Sequence, residues 1–450
     1  MKVPPDNSPS SEKLLRPTWM LVDGALQSGL ELVVRNGRIA EIRPSKQPVN
    51  LPDRMLLPGF VNAHSHAFQR GIRGQVQHAV GKDNFWSWRA RMYELAVRLS
   101  PEDLRAVSAL AYLEMVQAGF TAVGEFHYLH HQPDGHPYAN RNELALQVAD
   151  AAQDVGLRLC LLRVAYARAG AGQAALPEQR RFCDQEMSAV LRDIETLAAE
   201  GQNRFSVGLA AHSMRALSLD QLRALSSFRG PVHAHVDEQP GEIAQSLDEH
   251  GCRPLEVFAR AGLLSDRFCA VHFTHPSKEE IAILRSFDAQ VVACPTTEMD
   301  LGDGFLPLEK LKGVSLSIGT DSHARIDPLA EIRALEWHAR ARLGQRCVFV
   351  QSDEPNALAA ALLRVGARGG AKALGLDTGE IAVGRQADFI AVETTSTALS
   401  SGPLLTNFVF SGQPGFVKEA WVGGDQILFD GRHPHGEAIR EAAQKVLSAV

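Results

Sequence analysis

The segment Leu57-Pro58-Gly59-Phe60-Val61-Asn62-Ala63-His64-Ser65-His66 is an apolar run that stops on two histidines spaced i, i+2. Its composition fits a buried strand. Side chains on a strand alternate between faces, so His64 and His66 project together from its end. Two imidazoles placed that way supply half of the donors that a divalent metal needs. Alone, a His-x-His pair is a weak signal. It gains weight here because further His, Glu and Asp residues also terminate apolar runs downstream in the chain.

Eight such runs can be counted between about residues 58 and 375: Gly59–His66, Thr121–His127, Leu157–Val164, Phe205–His212, Pro231–Val236, Phe268–Phe273, Gln290–Pro295 and Val314–Asp321. Amphipathic segments separate them. In Pro101–Gly119, Ser100 reads as the N-cap, Pro101 sits at the first helical position and Glu102 and Asp103 lie in the first turn. Gln185–Glu200 and Leu329–Leu343 read the same way. Strands alternating with helices predict a parallel α/β fold, and eight such units predict a (β/α)8 TIM-like barrel.

Outside this middle the pattern changes. Residues 1–16 read as a loose leader. Trp19–Val22, Leu30–Arg35 and Arg38–Arg43 alternate around an Asn36-Gly37 turn, a hairpin signal. These strands are too few to stand alone. Gly379–Gly384, Ala387–Val392 and Val417–Gly424 at the other end supply candidates to complete them. The expected organisation is α/β: the N-terminal part of a small β-sandwich domain over 1–57, the barrel over 58–376, and the C-terminal part of the sandwich over 377–450.

The bulk numbers exclude several function classes. The chain has 450 residues, 45% hydrophobic and 22% charged, the profile of an ordinary globular protein. A net charge of -6 speaks against a nucleic-acid partner, and an anionic substrate would need local arginines. Six scattered cysteines without a CxxC pair fit reduced thiols. No run approaches membrane-spanning length and the first dozen residues lack an apolar signal core, so no membrane partner and a cytoplasmic location are expected.

In a barrel of this kind chemistry sits at the C-terminal ends of the strands. Reading only those ends gives His64 and His66, His127, His212, His233 and His235, His272, and Asp321 in Ile318-Gly319-Thr320-Asp321-Ser322-His323. Any one of these could simply cap a strand or a helix. Their coincidence on one face is harder to explain that way. A catalytic zinc takes three or four protein donors and a water, and His64, His66, His235 and Asp321 make such a set. His235 is preferred to His233 because Glu238 lies just beyond it in His235-Val236-Asp237-Glu238, where a carboxylate can move a proton. His233 has the same parity but lies deeper. His272 reads as a donor that stabilises developing charge.

At these residues the chain resembles the amidohydrolase superfamily, in particular its mononuclear deaminase branch. The resemblance spans nearly the whole length and rests on Pro58–His66, His235-x-x-Glu238, His272 and Asp321 in that order. Binuclear members carry a bridging lysine at the end of the fourth strand, and Phe205–His212 has none, so one divalent metal per chain is expected. Zinc is the expected ion and iron(II) the alternative, since His and Asp serve both. Further stretches are similar to members that hydrolyse the formimino C=N of N-formimino-L-glutamate to N-formyl-L-glutamate and ammonia in histidine degradation. They are His64–Arg70, Phe85–Arg89, Glu125–His131, Ala211–Ala216, Glu298–Gly304 and Gly319–His323.

The resemblance implies a small dicarboxylate substrate clamped by Arg89 and Arg215, with Gln69, Tyr128 and His212 as further contacts, and a homodimer. Arginine is the natural bidentate partner of a carboxylate. Arg89 could instead stack on a neighbouring indole in Trp86-Ser87-Trp88-Arg89. Glu238, His272 and Asp321 are the expected catalytic residues. The alternative activity is that of a related deaminase acting on guanine, cytosine, an adenosine derivative or a triazine. The stretches at 170–185 and 340–355, read as helices, match no motif.

Overall fold

The structure, a computed structural model, describes residues 12–77, 85–202 and 204–449, without the side chains of residues 85–88. Eight strands form one parallel sheet in chain order: β1 (Phe60–Ser65), β2 (Phe120–His127), β3 (Arg158–Ala165), β4 (Ser206–Ala211), β5 (Val232–Val236), β6 (Phe268–His272), β7 (Gln290–Ala293) and β8 (Ser315–Ile318). Each lies within one of the eight apolar runs or overruns it by a residue. All eight are buried nearly throughout, as strands covered on both faces must be. Helices such as Pro101–Ala118, Met187–Glu200 and Pro328–Leu343 connect them, and the first carries the expected capping box between Ser100 and Asp103.

The sheet curls until its edges meet. Beyond β8, Thr320 N and Asp321 N donate to His64 O, both at 3.1 Å, and His66 N donates to Asp321 O at 3.2 Å. The Asn62 side chain stitches the same seam, donating to Thr320 Oγ1 at 2.7 Å and accepting from Thr320 N at 3.0 Å. The helical stretch Val365–Ala373 lies against the opposite, N-terminal ends of β1 and β8. A Cβ on Gly369 would come within 2.1 Å of Leu316 O, so that close approach requires glycine. There His233 Nε2 meets Ala373 O at 2.9 Å, which places His233 deep in the barrel, away from the strand ends that carry His64 and His66.

The opening segment is not one strand. Leu51–Pro58 ends in Leu57-Pro58 as part of a second sheet, the chain turns at Gly59, and β1 begins at Phe60. This six-stranded sheet runs Asp425–Leu428, Val417–Val422, Phe389–Glu393, Leu51–Pro58, Pro17–Val22, Ala25–Gln27, so the two ends of the chain interleave. A three-stranded sheet of Lys13–Leu15, Leu30–Arg35 and Arg38–Pro44 faces it across a core that includes Met20, Leu32, Leu56, Phe389 and Trp421. Part of the leader is therefore structured: Lys13–Leu15 pairs with Leu32–Val34, while residues 1–11 lie outside the described ones. Gly379–Gly384 forms no strand; it loops past the hairpin, with Gly384 N donating to Ile39 O. Neither unmatched stretch is an α-helix throughout. Arg168–Ala174 is a short hairpin followed by a 3-10 turn at Pro177–Phe182, and 344–356 is irregular.

Candidate metal and catalytic site

The C-terminal ends of β1, β5, β6 and β8 bring their donors to one point. His64 Nε2 and His66 Nε2 lie 3.4 and 3.3 Å from Asp321 Oδ1, and His235 Nε2 lies 3.2 Å from His64 Nε2. Among the described residues three overlapping groups of donor atoms are close enough to share an ion: His64, His66 and Asp321; His64, His235 and His272; and His272, Cys294 and Glu298. His64 belongs to the first two. The backbone fixes two of the rings. His66 Nδ1 meets Phe126 O at 3.0 Å and His235 Nδ1 meets His212 O at 2.9 Å. A carbonyl only accepts, so each Nδ1 carries the proton and each Nε2 keeps its lone pair for the centre.

Charge distinguishes His235 from its neighbour His272, although their rings stack at 5.4 Å. Burial, reinforced by the other imidazoles, keeps His235 well below the usual histidine range, and burial pushes His64 down to about 3. Both are neutral, as ligands must be. Burial disfavours a charge on His272 as well, but Glu238 at 3.8 Å, Glu298 at Nδ1 and Asp321 at 3.8 Å outweigh it and push His272 up to about 10. His272 is thus a cationic donor. For Asp321, burial is outweighed by the His64 and His66 rings beside it, which hold the carboxyl well below its usual range. Neutral imidazoles around a carboxylate in a dry pocket are a donor set suited to a divalent cation.

The backbone that aims these groups is strained. Asp237, His272, Phe273, Asp321 and His323 all have positive φ, from 45° to 70°. Left-handed backbone in such residues costs roughly 1–3 kcal/mol each and collects where function over-determines geometry. Gly319, just before Asp321, is required by packing: a Cβ there would sit 2.6 Å from His64 Cβ and 2.7 Å from His64 O.

A cleft opens over this centre, and the expected substrate contacts Gln69, Arg89, Tyr128, His212 and Arg215 all line it, beside His66, His235, Glu238, His272 and Asp321. Gln69 Nε2 donates to Tyr128 Oη at 2.8 Å, and the buried Gln69 Oε1 has no partner among the described residues. Arg215 is buried with Nη2 3.4 Å from Glu238 Oε2 and Nε 3.7 Å from Glu242 Oε1. Burial works against its charge, and the two carboxylates restore it. The Arg89 guanidinium lies 5.3 Å from the centre of the Tyr93 ring. Its expected alternative partners, the Trp86 and Trp88 side chains, lie outside the described residues. His127, the other strand-end histidine, belongs elsewhere: its ring packs on His130, whose Nε2 meets the buried Arg163.

Several residues of the site were missed by reading strand ends for His, Glu and Asp. Glu298 accepts from Cys294 N at 2.7 Å and faces His272 Nδ1 at 3.4 Å from a helix after β7. It sits in a quoted stretch, but nothing in its spacing assigns it a partner. Tyr166 directly follows β3 and lines the cleft. Admitting tyrosine to the strand-end reading would have found it. Glu242, a helical turn beyond Glu238, carries a signal only once Arg215 is known to be its neighbour.

Known proteins share this architecture. The profile of the amidohydrolase family matches residues 55–427. The chain is 37% identical over 426 residues to formimidoylglutamate deiminase of Pseudomonas aeruginosa, covering 92% of this chain and 93% of that one. It is 28% identical to 5-methylthioadenosine/S-adenosylhomocysteine deaminase of Natronomonas pharaonis over 84% of this chain and 82% of that one. Among solved structures, an amidohydrolase from Brucella melitensis superposes with a TM-score of 0.90 at 33% identity, covering 97% of this chain and 99% of that one.

Proposed function

Because the chain belongs to the amidohydrolase family and is a hydrolase acting on carbon–nitrogen bonds, we propose that its hydrolytic deamination is that of N-formimino-L-glutamate to N-formyl-L-glutamate and ammonia, a step of histidine degradation. The observation that carries this reading is that Arg89 and Arg215 line the same cleft as the His/Asp centre. A chain with a net charge of -6 repels a dianion at long range. Two guanidiniums beside the reactive centre reverse that locally and clamp carboxylates. The 37% identity to a deiminase named for formimidoylglutamate supports the same substrate. A planar heterocycle would gain little from this pair.

One divalent cation per chain, zinc or iron(II), would be held by His64, His66, His235 and Asp321, and β4 holds no lysine to bridge a second. The chemistry the cation supplies is Lewis-acid activation of water, whose pKa it lowers toward neutrality. Asp321 takes the first proton as the water oxygen bonds to the formimino carbon. Glu238, between Arg215 and His272, passes protons to the terminal imino nitrogen. The bond from carbon to that nitrogen then breaks and ammonia leaves, while the bond to the glutamate nitrogen survives. His272, cationic and anchored by Glu298, stabilises the tetrahedral centre. Gln69 Oε1, without a partner among the described residues, accepts an N–H of the formimino group. Carbon-13 NMR of a formimino-labelled substrate tests the outcome. Label in N-formylglutamate is expected; label in formamide, with free glutamate, would overturn the reading.

A further inference from the structure

The carboxylate end of the cleft holds a second polar element besides the arginines. Gln179 Nε2 donates to Tyr93 Oη at 2.9 Å and to Tyr166 Oη at 2.8 Å. Gln179 Oε1 accepts from Leu176 N at 2.8 Å, so the amide is fully used and its orientation is fixed. Gln179 is completely buried, and both tyrosines line the cleft beside Arg89 and Arg215. Each phenol oxygen already receives an amide hydrogen, so each hydroxyl is turned to donating. Both phenols face the cleft that Arg89 and Arg215 line, and the Tyr166 hydroxyl lies in the field of those two charges. A guanidinium cannot accept its hydrogen. The group that can is an anion lying between the guanidiniums.

We propose that the Tyr93–Tyr166 pair, bracketed by Gln179, is a specificity-determining element that hydrogen-bonds one carboxylate of the dicarboxylate substrate. The proposal rests on the substrate reading above. Gln179 is a positioning residue, because it touches the substrate only through the phenols. The bracket also ties three separate parts of the chain, the helix with Tyr93, the end of β3 and the 3-10 turn Pro177–Phe182, into one wall of the cleft.

The test is steady-state kinetics of Tyr166→Phe, Tyr93→Phe and Gln179→Met with N-formimino-L-glutamate and with two analogues, each lacking one carboxylate. Wild-type turnover of the full substrate is the control that separates the two claims, since its absence would sink the substrate reading before any variant is made. Given that turnover, Tyr166→Phe or Tyr93→Phe is expected to raise KM roughly tenfold or more, the loss of a hydrogen bond to a charged group, with kcat within about twofold. Gln179→Met is expected to show a smaller rise of the same kind. The penalty should vanish for the one analogue that lacks the recognised carboxylate. Unchanged KM in both phenylalanine variants would overturn the proposal. So would an equal penalty on all three substrates, which marks a structural role.

Discussion

Glu238 occupies the position on which the proposed chemistry turns, with Oε1 3.8 Å from His272 Nε2 and Oε2 3.4 Å from Arg215 Nη2. A carboxylate between two cations can take and return a proton without leaving its place. Glu238→Gln keeps the shape and removes the proton, so kcat is expected to fall by about 10²–10⁴ with the bound metal unchanged, read by ammonia release and metal analysis of one preparation. Near wild-type turnover would remove Glu238 from the mechanism. Arg215→Met is expected to lower kcat/KM by roughly 100-fold and to reduce thermal stability, because it also leaves Glu238 and Glu242 beside each other without their counter-charge. At this scale the sequence was legible where spacing encodes direction. His64 and His66 could be placed on one face, and Glu238 past His235. It was silent on Glu298 and on the phenol pair, because their partners come from strands and turns remote in the chain.

Elements explain why those residues converge. The strand-end reading found all eight barrel strands, since buried parallel strands are continuous apolar runs and their boundaries are set by composition. It did not find the turn at Gly59, because Leu57-Pro58 and Phe60-Val61 are equally apolar; only the approach of Thr121 to Gly59 separates them. Nor could it see that the helices expected at 170–185 and 340–355 are a hairpin and an irregular stretch, where periodicity is weak. The seam between β1 and β8 tests the convergence. Gly319→Ala forces a methyl against His64 and is expected to lose most bound metal, measured by elemental analysis, while the far-ultraviolet circular dichroism stays that of a barrel. Metal retained at the wild-type ratio would show that the seam does not set the position of His64.

Glu331, at the start of helix Pro328–Leu343, gives a pH prediction at the same scale. Burial pushes its carboxyl up from 4.5 to about 8, only partly offset by hydrogen bonds from Thr296. A folded-state pKa above the unfolded one means that the folded chain holds the proton longer. Stability from this group is therefore full below about pH 4.5 and declines as pH rises toward 8. Glu331→Gln is expected to flatten that part of the decline in melting temperature between pH 5 and 8, whatever constant change it also brings. An unchanged slope would show that Glu331 ionises freely in the folded protein.

The whole molecule is a barrel flanked by two sheets, the larger drawn from both ends of the chain, an arrangement legible in outline because strand patterns at the C-terminal end offered partners for those at the N-terminal end. Among the described residues no helix is long and apolar enough to cross a membrane. Its proposed metal donors lie at the C-terminal ends of strands β1, β5 and β8, so a bound cation would link the barrel across its width. Chelation is expected to abolish turnover and to lower the melting temperature by several degrees, with about one equivalent of zinc or iron(II) restoring both. Restoration that needed two equivalents would contradict the mononuclear reading. The central claim, that a metal-dependent barrel uses two arginines to choose a dicarboxylate, is tested most directly by ammonia release. Metal-analysed protein would be offered N-formimino-L-glutamate, and 5-methylthioadenosine, guanine and cytosine in parallel. Rapid release from the formimino substrate alone is the predicted result. Silence there, with turnover of a heterocycle, would contradict it.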